Sequence, residues 1–255
     1  MTITQRHKRQ LGSILLLLGL MGILSLLTIE LPTSKLPPET LERFSPQMIK
    51  FLSLLNPLIF LVISILIGLR LYPKTSLRTP LIEGLLRDKK PTIPFPMILK
   101  SGILGGVLAG ILLVLIGWIY RPLLPQEFTE LGRNLQMNML TRLLYGGLTE
   151  EILLRFGLMT LLAWLLLKIC KNREPNAYRI AVFVTALVFA VSHFPIAFQA
   201  VDQPSGLLLS YILVGNSLGG LIFGWLYWKK GLESAFIAHM VTHIVLVTGD
   251  WLILA

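Results

Sequence analysis

A series of long apolar runs constrains this chain more than any other feature. Each run is near the length of about 20 residues that a helix needs to cross the hydrocarbon core of a bilayer. The runs lie at residues 11–29, 51–69, 101–120, 139–167, 180–198, 207–228 and 232–254. They predict an all-α fold, a polytopic transmembrane bundle of seven helices, or of eight if one further segment crosses.

The composition argues against a soluble enzyme and against a nucleic-acid-binding protein. Only 14% of the residues are charged, whereas soluble domains carry about 25%. The net charge of +10 comes mostly from Lys and Arg between the apolar runs, without a basic patch interleaved with aromatic residues. We therefore expect no nucleic-acid partner. The single cysteine, Cys170, excludes an internal disulfide and a multi-cysteine metal site.

The charges of the loops predict the orientation of the chain. Loops on one side carry Arg6, Lys8, Arg9, Lys74, Arg78, Arg87, Lys89, Lys90, Lys168, Lys171, Arg173, Arg179, Lys229 and Lys230. Loops on the other side carry only Lys35, Arg43, Arg121 and Arg133. The positive-inside rule then places the N-terminus in the cytoplasm. We expect the protein to lie in the inner (plasma) membrane of the cell. The first run lacks a small-residue cleavage site, so we expect it to remain as a helix.

Other patterns indicate how the bundle is organised. The third run contains glycines spaced for close helix packing, at Gly102, Gly105, Gly106 and Gly110. Residues 77–90 and 129–142 are predicted to form helices that lie at the membrane surface. Without an internal repeat, the chain is predicted to form one integral domain. Its residues 1–135 carry no recognisable motif, and residues 136–255 carry the polar residues discussed next.

Ionisable residues interrupt the later apolar runs. Away from the ends of the runs they are Glu150, Glu151, Arg155, His193, His239 and His243. A charged side chain at bilayer depth costs at least about 2.5–3.5 kcal/mol, so such residues face the bundle interior and are functional candidates. A purely architectural alternative is a network of charges that locks the helices together.

Helix geometry separates the two adjacent glutamates. Arg155 lies four residues after Glu151, a spacing that suits an ion pair on one face of a helix. Adjacent residues diverge by about 100°, so Glu150 is expected to point elsewhere and to be available as a base. His239 and His243 have the same four-residue spacing and share a face. Counted from the basic end, Glu150 lies farther along its helix than the histidines lie along theirs.

Two chemistries would use these residues for hydrolysis of an amide inside the membrane. In one, Glu150 and His193 deprotonate a water while His239 and His243 donate hydrogen bonds to the oxyanion. In the other, Glu150 and some of the histidines bind zinc, which lowers the pKa of its bound water. An HExxH motif is absent. A GxSxG match at residues 215–219 lies inside an apolar run without the required strand-to-helix turn, so it indicates packing.

Three short motifs resemble those of a known family. Residues 150–155 have the form EExxxR, residues 189–193 the form FxxxH, and residues 239–243 the form HxxxH. In this order, on successive late helices, they resemble the motifs of the CPBP family. Its members are CAAX-type prenyl proteases and bacteriocin-processing, Abi-like, intramembrane endopeptidases.

The resemblance implies roles for individual residues. Glu150 and His193 would activate water, His239 and the residue at position 243 would stabilise the oxyanion, and Glu151 and Arg155 would support the site. The family usually has Asn at position 243, whereas this chain has His243. Histidine is the better metal ligand, so the zinc alternative stays open, with Glu150, His193, His239 and His243 as its ligands. We favour glutamate-activated water without a required cofactor.

The expected partners are the lipid bilayer and a hydrophobic or lipidated peptide or protein substrate. The rival prediction is a non-enzymatic transporter, immunity or scaffold protein that uses the same buried Glu/His cluster. Transporters usually contain paired halves with broken helices, and no such repeat is visible in the sequence.

Overall fold

Seven helical spans form a single membrane-embedded bundle. The computed structural model describes residues 4–30, 38–134, 137–170 and 174–254. Within these ranges the spans are Gln5–Thr28, Pro46–Lys74, Phe95–Leu123, Met139–Ile169, Glu174–Ala200, Gly206–Lys230 and Leu232–Gly249. No strand occurs in the same ranges. The predicted all-α fold and its seven apolar spans are therefore confirmed, and the chain is a multi-pass integral membrane protein.

Some residues used in the sequence argument lie outside the described ranges. They are Lys35, Lys171 and Arg173 from the loop charges, and the predicted boundary between residues 135 and 136. The predicted orientation therefore remains a prediction.

Short helices lie in three of the loops. They span Pro38–Arg43, Pro80–Leu86 and Pro125–Asn134. The second falls inside the predicted surface segment 77–90. The third begins earlier than the predicted segment 129–142 and ends at Asn134. The last residues of that predicted segment belong instead to the fourth span, whose helix begins at Met139. Asn138 caps this helix, since its side-chain oxygen accepts a hydrogen bond from the Thr141 N–H at 2.9 Å.

The second span is broken near its beginning, a few residues before Pro57. Its two helices are Pro46–Ser53 and Leu55–Leu71. Pro57 has no N–H to donate to the carbonyl of Ser53, so the regular bonding pattern cannot continue through this point. The break therefore has a local cause in the sequence.

Glycines of the third span bring it into close contact with the seventh. A Cβ added at Gly102 would lie 2.7 Å from Ile237, and one added at Gly110 would lie 2.5 Å from Val245. A Cβ at Gly106 would lie 2.5 Å from the Ala238 carbonyl oxygen. Because these glycines have no side chains, the backbones of the two helices can approach closely, as the glycine spacing predicts.

The fourth span differs from the regular α-helix that the sequence predicts. It is π-helical over Arg142–Glu150 and Ile152–Met159 and α-helical over Thr160–Ile169. Wide π turns are rare and often occur at functional sites. The span packs against the first, second and seventh spans, so it forms the centre of the bundle and carries its charged residues inward.

A tight turn joins the sixth and seventh spans. Gly231 adopts φ 98°, a left-handed conformation that favours glycine. Two residues later, the buried carboxylate of Glu233 accepts hydrogen bonds from the N–H groups of Leu81 and Ile82, each at 2.9 Å. These bonds fix the short helix Pro80–Leu86 to the base of the seventh span.

Candidate functional site

The fourth span carries a fully buried ion pair. Arg155 Nε lies 3.2 Å from Glu151 Oε2, and neither side chain is exposed. This is the pair that the four-residue spacing predicts, although its geometry is that of an ionic contact rather than a hydrogen bond. Arg155 Nη2 also donates to the Gly220 carbonyl at 3.3 Å. The guanidinium lies over the rings of Phe189 and Phe223, at 5.1 and 5.7 Å, which contributes a cation–π attraction in a dry environment.

His239 of the seventh span lies between the two glutamates. Its Nδ1 is 2.9 Å from Glu151 Oε1, a hydrogen-bond distance. Its Nε2 is 3.9 Å from Glu150 Oε2 on the other side of the ring. Because a carboxylate only accepts, Nδ1 is the donor toward Glu151. The ring is thereby fixed in orientation, with Nε2 facing Glu150.

The position of Glu150 corrects the sequence analysis. Glu150 was expected to point away from the face of Glu151, yet both carboxylates contact the same imidazole. Two structural facts explain this: the π-helical turns change the angular spacing, and the His239 ring lies between the two carboxylates with one nitrogen toward each. The apparent offset in depth between Glu150 and His239 also disappears. Glu150 is the more accessible glutamate, with 19% of its side chain exposed.

His243 stacks on His239 one helical turn farther along. The ring centroids are 4.9 Å apart at an interplanar angle of 23°. His243 Nδ1 is buried without a hydrogen-bond partner among the described residues. A Cβ added at Gly146 would lie only 2.7 Å from His243 Nε2, so the glycine is what lets the fourth span approach this ring.

His193 lies at the edge of the cluster. It follows the fifth-span helix Glu174–Val191, and its Nδ1 is 2.8 Å from the Phe189 carbonyl oxygen. The Phe189 ring packs edge-on against His193 at 4.7 Å and against His239 at 5.9 Å. Within the described residues, no hydrogen bond or ion pair joins His193 to Glu150. The structure thus brings His193 beside the cluster through Phe189 rather than by direct contact.

Phe223 is a site residue that the sequence analysis missed. Its ring stacks on His239 at 4.6 Å with an interplanar angle of 22°. Both residues lie eight positions from Gly231, one before the turn and one after it, so the hairpin places them opposite each other. That equal spacing from a glycine turn is a pattern from which the contact could have been predicted.

The GxSxG match lies within the helix Gly206–Lys230 and lacks the turn of a nucleophile elbow. A Cβ added at Gly220, the next residue, would lie 2.9 Å from Ala186 of the fifth span. This contact supports the packing interpretation of the segment.

The donor set for a metal ion is incomplete in the described parts of the chain. No group of three or more His, Cys, Asp or Glu side chains there has an arrangement that could hold a metal. His239 Nδ1 is engaged by Glu151, and the His193 Nδ1 by a backbone carbonyl. The four residues that could serve as zinc ligands therefore do not form a ligand set in this structure.

The comparisons with known proteins concern the same part of the chain. Residues 133–245 match the family model described as type II CAAX prenyl endopeptidase Rce1-like. No curated protein and no solved structure matches the chain. The matched residues include all three motifs and every residue of the cluster described above, so the resemblance predicted from the motifs is confirmed.

Proposed function

We propose that this chain hydrolyses a peptide bond inside the membrane with water activated by Glu150 and His193, because residues 133–245 match the family model described as type II CAAX prenyl endopeptidase Rce1-like. The observation that carries the proposal is the arrangement of two glutamates and stacked histidines within the matched residues. Glu151 and Arg155 are fully buried and fix His239, while Glu150 remains partly exposed. This arrangement suits a reaction in which Glu150 is the reacting carboxylate and the buried residues hold His239 rigidly beside it.

Water activation falls to Glu150 and His193. The carboxylate of Glu150 takes a proton from the water. His193 donates Nδ1–H to the Phe189 carbonyl, so in the neutral ring Nε2 carries a lone pair that can accept a hydrogen bond from the same water. The resulting hydroxide attacks the carbonyl carbon of the substrate.

Oxyanion stabilisation falls to His239 and His243. With Nδ1–H directed to Glu151, His239 donates from Nε2 only as the imidazolium. His243 donates from Nε2, the nitrogen that faces Gly146.

Water, Glu150 and the substrate account for every proton in the proposed reaction. The proton that Glu150 takes from water passes to the amide nitrogen of the tetrahedral intermediate, and the C–N bond then breaks. The products are a carboxylic acid and an amine, and Glu150 returns to its ionised form. Glu151 and Arg155 are positioning residues that keep His239 in place.

The proposed substrate is a hydrophobic or lipidated peptide or protein reached from the bilayer. The matching family is described as one of CAAX prenyl endopeptidases, which suggests a prenylated substrate, and a bacteriocin-like precursor is the unprenylated alternative. We further propose a plasma-membrane location with the N-terminus in the cytoplasm, on the basis of the loop charges.

The decisive experiment compares Glu150→Gln with the wild-type protein after reconstitution in lipid vesicles. The substrates are a fluorogenic hydrophobic peptide in prenylated and unprenylated forms. We expect Glu150→Gln to lose at least 10²-fold in kcat, with an unchanged melting temperature. The matched control is Glu42→Gln, which removes an exposed carboxylate outside the cluster.

Retention of full activity by Glu150→Gln would contradict the mechanism. Absence of cleavage by the wild-type protein with either peptide, alongside binding of the peptide, would instead favour a scaffold or immunity role.

A further inference from the structure

A polar cavity lies at the end of the sixth span, away from the glutamates and histidines. Its volume is about 320 Å³. The loop after the second span contributes Ser76, Arg78 and Thr92, and the end of the sixth span contributes Tyr227, Trp228 and Lys229. None of the proposed catalytic residues lines it.

The cavity is cationic. Arg78 and Lys229 are its charged lining residues, and no carboxylate is among the residues that form it. Neither cation makes an ion pair with an acidic side chain in the described parts of the chain. Hydroxyl groups of Ser76 and Thr92 add donors beside the two charges. A group with negative charge and several acceptor oxygens, such as a phosphate, fits this lining.

Aromatic and basic residues place the cavity at the level of lipid headgroups. Lys229 Nζ lies 3.5 Å from the centroid of the Trp228 ring. At the end of the fourth span, Trp164 is contacted in the same way by Lys168 at 3.9 Å and Lys74 at 5.8 Å. Tryptophan and lysine pairs of this kind occur at the membrane–water boundary. Trp225, one turn before the cavity, is 49% exposed, so the surface beside it offers an apolar path for acyl chains.

The cavity walls are held in place from several sides. The Ser76 N–H donates to Tyr178 Oη at 2.7 Å, and the Leu232 N–H donates to the Arg78 carbonyl at 3.1 Å. The Tyr178 ring in turn stacks on Trp228 at 5.3 Å. Because these contacts are made by the protein itself, a ligand would not have to order the loop before it binds.

We propose that this cavity binds the phosphate group of an anionic glycerophospholipid. Arg78 and Lys229 pair with the phosphate, Ser76 and Thr92 donate to its oxygens, and the acyl chains lie along the sixth span beside Trp225. The site is independent of the proposed peptidase activity, since it uses none of the same side chains.

The test measures lipid binding by the purified, delipidated full-length protein with native mass spectrometry. The probes are phosphatidylglycerol, phosphatidylcholine and inorganic phosphate. The cavity variant is Arg78→Gln/Lys229→Gln. The control is Lys89→Gln/Lys90→Gln, which removes the same charge from exposed residues of the same loop outside the cavity.

We expect the wild-type protein and the control to bind phosphatidylglycerol in preference to phosphatidylcholine, and the cavity variant to bind it at least tenfold more weakly. The melting temperature in phosphatidylcholine verifies folding, and Arg78→Gln alone provides the same comparison if the double variant does not fold. Equal weakening in control and cavity variants would overturn the proposal, because it would indicate general surface charge. Binding of inorganic phosphate that phosphatidylglycerol does not displace would overturn it as well.

Discussion

His239 Nδ1 and Glu151 Oε1 are joined by a 2.9 Å hydrogen bond across the interface of the seventh and fourth spans. Glu151 is completely buried, and its other oxygen faces Arg155. A carboxylate in this position does not reach a substrate itself. Its physical effect is to fix the orientation of the histidine ring beside Glu150 and to keep a proton on Nδ1.

Removal of Arg155 is expected to destabilise the protein strongly. Arg155→Met leaves Glu151 buried without its cation, and breaking a buried ion pair in this way costs about 3–5 kcal/mol. The double variant Arg155→Met/Glu151→Leu removes both charges and should be more stable than the single variant. Melting temperatures in detergent check this order. The double variant is nevertheless expected to lose activity, because His239 has lost its partner, and equal instability of both variants would contradict the coupling.

A chelator should leave peptide cleavage unchanged. The residues described here do not form a three-ligand metal site, and His239 Nδ1 is already bonded to Glu151. The measurement is the metal content of purified, active protein, together with activity after dialysis against a chelator. Stoichiometric zinc that is lost in parallel with activity, and restored with it, would favour the zinc mechanism. His243→Asn then serves as a second check, since loss of a zinc ligand would lower the metal content.

Glu233→Ala is expected to loosen the loop after the second span. Its carboxylate accepts from the Leu81 and Ile82 N–H groups, and leaving buried donors unsatisfied costs about 1–3 kcal/mol. The readouts are faster hydrogen exchange at these two amides and faster tryptic cleavage nearby, after Lys89. Glu42→Ala, at an exposed carboxylate, is the control. Unchanged exchange at both amides would show that other contacts hold the loop.

The sequence predicts the fold of this chain well, because the bilayer restricts the possibilities. Seven apolar runs, each of crossing length, correspond to the seven spans. The glycines at positions 102–110 of the third span pack closely against neighbouring spans, as their spacing predicts, with Gly105 against Leu226 of the sixth span and the others against the seventh. The short surface helices are less well predicted, since their ends depend on caps such as Asn138 rather than on an apolar period.

The candidate site is predicted in composition but not in geometry. The spacing of Glu151 and Arg155 is enough to predict their contact, because both lie on one helix. The position of Glu150 depends on the π-helical turns of the fourth span, and a period of 3.6 residues cannot represent these. The packing of Phe189 and Phe223 around His239 and Arg155 joins three different spans, and such contacts become visible only when the spans are assembled.

Gly146→Ala is expected to impair catalysis more than stability. The added Cβ would lie 2.7 Å from His243 Nε2, so the His243 ring, which stacks on His239, would have to move. A displacement of about 1 Å at a reacting centre lowers the rate on the order of 10²-fold, whereas overpacking costs about 1–3 kcal/mol of stability. The measurements are kcat with the fluorogenic peptide and the melting temperature. Gly132→Ala is the matched control, because nothing lies within 4 Å of its added Cβ. If Gly146→Ala keeps full kcat, the two histidines do not need the positions seen here to support cleavage.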